Sequence, residues 1–279
     1  MKQNTIRQID YGSGSLFKAV MLAAGPMVFA QVLSLLYNIV DRMYIDRIPG
    51  QGASALAGIG LCFPVISLIT AFANLYGSGG APLAAMENGR GNHEEARLYM
   101  NASFVLTVLT GIVLTVVGEL FARPILTLFG ADGSSLQTGI AYLQPVLAGT
   151  VFSMVALTMN PYINAQGFPL IGMMTVLIGA LSNIVLDPVF IFVAGWGIQG
   201  AAAATVISQV VSSLFVLRFL TGPNATQTLS VTWMKASLAA DRIMQILSLG
   251  TATFIMQVTN SLVQAVANST LAVYGGDLY

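Results

Sequence analysis

Six charge-free tracts dominate this chain: 19–40, 48–86, 98–118, 133–186, 188–217 and 243–276. A membrane-spanning helix needs about 20 predominantly apolar residues, and tracts of these lengths hold seven. Barrel strands alternate apolar and polar residues in segments of about ten, whereas these tracts are continuously apolar, so a β-barrel is excluded. Only 8% of the 279 residues are charged, against about 25% in a soluble domain. The chain reads as an all-α polytopic membrane protein. Its formal net charge of zero offers no basic surface, so no nucleic-acid partner is expected.

Turn-forming runs divide the tracts: "IPGQG" at 48–52, "ENGRGN" at 87–92, "GADGSS" at 130–135, "NAQGFP" at 164–169, "GWGIQG" at 195–200 and "TGPN" at 221–224. They predict spans at about 17–45, 54–86, 95–121, 138–162, 169–194, 199–220 and 243–273. Asn92 followed by Glu95 resembles a capping box opening the third helix, with His93 as a solvated helix-start residue. With the N-terminus inside, eight of the eleven Lys and Arg are cytoplasmic: Lys2, Arg7, Lys18, Arg90, Arg97, Arg218, Lys235 and Arg242. Arg42, Arg47 and Arg123 fall outside, so the positive-inside rule favours a cytoplasmic N-terminus. The polar start leads directly into the first span without a cleavable signal peptide, which points to a multi-pass plasma (inner) membrane protein. The lone Cys62 excludes an internal disulfide and reads as a buried, inert thiol.

A shift of 225 residues lays Gly250 and Phe254 on Gly25 and Phe29, and one further slip aligns "QV" at 257–258 with "QV" at 31–32. Six spans followed by a relative of the first is the pattern of a transporter with two parallel six-helix halves. The expected division is a cytoplasmic N-terminus 1–16, a first lobe 17–220, a cytoplasmic linker 221–242 and a seventh helix 243–279 opening a truncated second lobe.

Two polar runs interrupt the apolar tracts, "NIVD" at 38–41 and "NIVLD" at 183–187. An Asp at a helix centre costs about 2.5–3.5 kcal/mol on insertion scales, against about 0.3–0.6 returned by each large apolar residue. Packing gives no reason to retain such acids, so they mark function. Gln31, Ser34, Asn38 and Asp41 fall at spacings of three, four and three on one helix face, with Tyr37 beside them. Lipid would reject that stripe. Asn183 and Asp187 share a face on the fifth span, and Pro188 frees the carbonyl of Ile184 next to them. Thr205 and Gln209 add a pair on the sixth span, and Ser153, Asn160 and Asn164 a face on the fourth. Carboxylate, amide and carbonyl oxygens suit Na⁺ or a shared proton equally, and desolvation with mutual repulsion favours one proton held between two buried acids. Ser67, Thr70, Ser208 and Ser212 read as helix glue, Glu119 and Arg123 as an interfacial pair, and "GSGGAP" at 77–82 as a close-packing stretch. Gly25-Pro26 marks a kink or hinge in the first span. Met27, Met154, Met159, Met173 and Met174 suit either a pliable pocket or core filling. With one His, no metal-ligand cluster and no serine–histidine pairing, an enzyme is disfavoured and no catalytic residue is expected.

"GPMVFAQVLSLLYNIVDRMYIDRIPG", "MENGRGNHEEARLYMN", "PILTLFGAD", "NPYINAQGFPLIGM", "SNIVLDPVFIF" and "GIQGAAAATVISQ" occur in an order that resembles the multidrug and toxic compound extrusion (MATE) family over about residues 15–275. The resemblance implies the six-helix N-terminal lobe of a twelve-helix transporter plus its seventh helix, with the second lobe almost wholly missing. It is similar to the DinF-like branch, whose coupling site lies in the first lobe. That implies H⁺ or Na⁺ coupling at Asp41, Asn183, Asp187 and Thr205, a cavity including Tyr37 and Asn160, and a bending Pro26; Gln31, Ser34 and Asn38 join the cavity through their stripe. No cofactor beyond the coupling ion is implied. The implied activity is export of cationic amphiphilic small molecules across the lipid bilayer by alternating access. The alternatives are a flippase for lipid-linked oligosaccharides, which would favour intramembrane Lys or Arg, and a non-transporting half-size fragment. Asp46 departs from the family, whose members usually carry Gly there.

Overall fold

The computed structural model describes residues 15–230 and 237–274. Among these residues every regular element is helical: α1 (Leu16–Asp46), α2 (Gly52–Gly89), α3 (His93–Leu128), α4 (Gly133–Ala148), α5 (Thr150–Ala165), α6 (Pro169–Pro188), α7 (Gly197–Leu220) and α8 (Ala240–Tyr274). Even α7, with 24 residues, is about 36 Å long, enough for a hydrocarbon layer of about 30 Å. Six helices are each long and apolar enough to span, and the bent pair α4–α5 makes the seventh span. Lys2, Arg7 and Lys235, and the segment 275–279, lie outside the described residues.

The fourth span is not the single rod that hydrophobicity predicts, because α4 and α5 meet at 59°. Pro145 offers no N–H to the carbonyl one turn below it, and Gly149 ends α4 by donating to the carbonyls of Pro145 and Val146 at 3.2 and 3.1 Å. A Cβ at Gly149 would lie 3.0 Å from both methyls of Val206, so the glycine lets the bend rest against α7. The fifth span departs as well. After Pro188, Val189 donates to Leu186, and a π-helical turn Val189–Val193 carries the chain out of α6. Such turns inside helices concentrate at functional sites.

Helix α2 is the centre of the bundle, packed against α3, α4, α5 and α8. Its "GSGGAP" stretch performs the close packing read from sequence. A Cβ at Gly80 would overlap the Tyr162 hydroxyl, and one at Gly79 the Ile246 carbonyl on α8. Gly250 answers from α8 by lying against the Leu75 carbonyl. Further along, Ser78 Oγ donates to Thr253 Oγ1 at 3.0 Å and Ser261 Oγ to the Pro64 carbonyl at 2.7 Å. Pro64 cannot donate to the Gly60 carbonyl, and Asn268 Nδ2 does so instead at 3.2 Å. Small residues and side-chain hydrogen bonds therefore hold this seam, as expected where apolar contact with lipid competes with apolar contact between helices.

Apolar side chains gather in two clusters at opposite ends of the bundle. One holds Ile45, Ile59, Leu126, Leu143 and Ile191, and the other Tyr76, Tyr99, Met100, Tyr162 and Phe168. Cys62 is fully buried in the first, its thiol facing the Gly58 and Gly139 carbonyls at 3.2 and 3.4 Å. At the second end Arg242 donates to Glu95 at 2.8 and 2.9 Å and lies over the Tyr99 ring, while the Tyr99 hydroxyl donates to Gln245. This ties α8 to the first turn of α3. Asn92 Oδ1 accepts from Glu95 N at 3.4 Å, but the Glu95 carboxylate is spent on Arg242, so only half of the expected capping box forms. His93 is exposed at the helix start, beside Asn88 at 3.0 Å. The described start of the connection from α7 to α8 is pinned where the Gln227 and Ser230 amides donate to Gln166 at 3.0 Å and Asn101 at 3.2 Å. Glu119 and Arg123 do not close the ion pair expected of them. Arg123 is exposed at that end of α3 while Glu119 is half-buried, and the gain from pairing an exposed charge is small, about 0–1 kcal/mol.

Candidate ion and ligand site

Helix α1 runs unbroken through Pro26 and packs chiefly on α6. That contact brings the stripe on α1 to the Asn183–Asp187 face. Asp187 is fully buried and Asn183 is 3% exposed. Asn183 Nδ2 donates to Asp187 Oδ1 at 3.2 Å. The Asp41 and Asp187 carboxyls lie within hydrogen-bonding reach of each other. Two ionised carboxylates repel and cannot donate to one another, so a proton or a cation between them relieves such an approach. Asp41 Oδ1, Asp187 Oδ2 and Asn183 Oδ1 are buried without a hydrogen-bond partner. Three such oxygens at one place fit a hard monovalent cation or a shared proton. Arg42 does not neutralise Asp41 by direct pairing, since its guanidinium sits over the Phe63 ring, 4.7 Å from the centroid.

Next to the acids is a cavity of about 640 Å³. The stripe residues Gln31, Ser34, Tyr37 and Asn38 form its α1 wall, and Asn160, Asn183, Thr205 and Gln209 come from α5, α6 and α7. Thus all the expected cavity residues line one space. Asp41 and Asp187 do not line it, although Tyr37, Asn183 and Thr205 do. Ser153 and Asn164 share the cavity with Asn160, as their common face predicts. Asn160 Nδ2 donates to the Gly172 carbonyl at 2.8 Å and Asn164 Nδ2 to Asn160 Oδ1 at 3.0 Å, stapling α5 to α6. The methionines divide: Met27 and Met173 line the cavity, Met154 and Met159 are fully buried core, and Met174 is exposed.

Of the four residues read as glue, Ser212 bridges helices by donating to the Thr175 carbonyl at 3.1 Å. Thr70 and Ser208 instead donate within their own helices and line the cavity. Sequence reasoning missed Tyr142 on α4. It is 6% exposed, packed in the first apolar cluster, and its hydroxyl lies beside the Thr205 side chain of the expected ion site. It also missed Thr150, a cavity residue at the α4–α5 bend. An aromatic in a continuously apolar span carries no polar periodicity to reveal it, and Thr150 acquires its place only through the bend.

A family profile described as MatE matches residues 26–189. The chain is 27% identical over 265 residues to Multidrug export protein MepA of Staphylococcus haemolyticus, covering 95% of this chain and 58% of that one. It is similar to the inward-facing conformation of a multidrug resistance MATE family transporter of the MOP superfamily, with TM-score 0.80 and 29% identity over 86% of this chain and 54% of that one. For the outward-facing conformation the TM-score is 0.81 and the identity 27%, over 88% and 54%. The chain thus spans between half and three fifths of the length of these relatives. With the profile matching more than half of its residues, this multi-pass membrane chain belongs to the MatE family.

Proposed function

We propose that the chain supplies the coupling lobe of a cation-driven multidrug antiporter in the plasma membrane, with its N-terminus cytoplasmic and its first six spans acting as one lobe. The carrying observation is the approach of two carboxyls, on α1 and α6, at the edge of a ligand-sized cavity. Asp41 and Asp187 exchange H⁺ or bind Na⁺, with Asn183 and Thr205 completing the oxygen set. Filling the gap between the acids draws α1 toward α6. Because α1 also carries Gln31, Ser34, Tyr37 and Asn38, the same movement reshapes the cavity and weakens a bound cationic amphiphile. Pro26 is the hinge: it lacks the donor that would stiffen α1, and a Cβ at Gly25 would meet nothing within 4 Å. Similar scores against inward- and outward-facing relatives support a lobe that keeps its internal packing while access alternates.

A flippase gripping an anionic pyrophosphate is disfavoured, since the cavity lining contains no Lys or Arg. Uptake of a fluorescent cation into proteoliposomes, under separate pH and Na⁺ gradients, tests the reading. Asp41→Asn and Asp187→Asn are expected to abolish gradient-driven transport. Transport intact in Asp41→Asn sinks the coupling assignment.

A further inference from the structure

The cavity lining contains no Asp, Glu, Lys, Arg or His, so its selectivity rests on neutral hydrogen-bonding groups. Those groups are used one-sidedly. Thr70, Ser153, Thr175, Ser208 and Ser212 each donate their hydroxyl proton to a backbone carbonyl, at 2.7–3.1 Å. A hydroxyl has one proton, so what these five can offer a ligand is lone pairs. The Asn160 and Asn183 amides each spend an N–H on Gly172 and Asp187, and these acceptor-only partners fix their orientation. Three further lining groups are unmet. Asn183 Oδ1, Gln209 Oε1 and Thr150 Oγ1 are buried without a hydrogen-bond partner, and all three residues line the cavity. Thr150 is 1% exposed, at the bend where Gly149 lies against Val206, and Gln209 is one turn further along the same face of α7. Asn183 belongs to the ion site, which leaves Gln209 Oε1 as the unmet acceptor and the Thr150 hydroxyl as a second unmet group in the same lining.

We infer that this cavity selects ligands by their N–H donors: it takes protonated amines in preference to quaternary ammonium ions of similar shape and equal charge, and Gln209 is the specificity-determining acceptor. A quaternary ion presents only C–H groups, and desolvates Gln209 Oε1 without replacing the lost hydrogen bond. A protonated amine donates to it directly. This rests on the reading of the cavity as a cation-binding site and adds the chemistry by which it discriminates among cations.

Isothermal titration of the purified chain in lipid nanodiscs, with phenethylammonium and with phenethyltrimethylammonium, tests it. The wild type is expected to bind the first about tenfold more tightly, the order of a single hydrogen bond to a charged group. Gln209→Leu is expected to weaken the first ligand alone and bring the two affinities together. Equal wild-type affinities overturn the donor selectivity while leaving the cavity a cation site. A preference that survives in Gln209→Leu overturns the assignment to Gln209. Binding of neither ligand overturns the inference together with the reading of the cavity on which it rests. The wild-type comparison decides the selectivity even if the variant does not fold.

Discussion

Asp187→Asn offers a direct measure of what the acid pair stores. Two carboxylate charges about 4 Å apart in an effective dielectric near 20 repel by about 4 kcal/mol. The protein escapes by holding a proton or cation at a lower cost, so removing one acid recovers only part of that energy, about half. The new amide also supplies a donor to Asp41, whose Oδ1 lacks a partner, and a hydrogen bond to a charged group contributes about 1.5–3 kcal/mol. Against this stands a weaker bond from Asn183, which now meets a neutral acceptor in place of Asp187 Oδ1. The net expectation is a gain of about 2–3 kcal/mol, or roughly 5–10 °C in Tm for a chain of this size. Differential scanning fluorimetry in Na⁺-free detergent buffer reads it. Na⁺ or a lowered pH, whichever is the coupling ion, should raise the wild-type Tm and leave the variant unmoved. A variant that melts at or below wild type would falsify the argument, because the acids would then be net structural contacts and not a strained site kept for function.

Gly250→Leu should cost about 3 kcal/mol by driving a side chain into the Leu75 backbone and parting α2 from α8. Gly60→Ala, which meets nothing within 4 Å, should be neutral or stabilising; equal melting of the two variants would show that the seam is not close-packed. Arg242→Ala should lose about 1 kcal/mol, because Glu95 keeps access to water with a third of its side chain exposed. That loss should shrink in about 1 M salt, where the Debye length is near 3 Å, and a salt-independent loss would assign it to packing on Tyr99. Cys62, fully buried, should resist maleimide until the chain is denatured, and rapid labelling of the folded protein would contradict its place in the core.

Element type and number were legible because they depend on local patterning. Continuous apolar length gave seven spans, and spacings of three and four put Gln31, Ser34, Asn38 and Asp41 on one face whatever that face meets. The α4–α5 bend was not legible, since glycine is common in membrane helices and Gly149 bends the span in partnership with Val206 on another helix. The π-helical turn after Pro188 was equally hidden. A proline announces a missing donor but not how the chain re-satisfies its backbone.

The sequence by itself determined which residues are too polar for lipid and which of them share a helix face. Helical periodicity relates residues one turn apart, and that relation survives any packing. The tertiary structure alone decided that Asp41 approaches Asp187, that both stand off the cavity wall, and that Tyr142 lies beside Thr205. Those facts depend on how α1 settles on α6 and α4 on α7. Such contacts are chosen by side-chain volumes and backbone approach between segments distant in the chain, which no local period encodes.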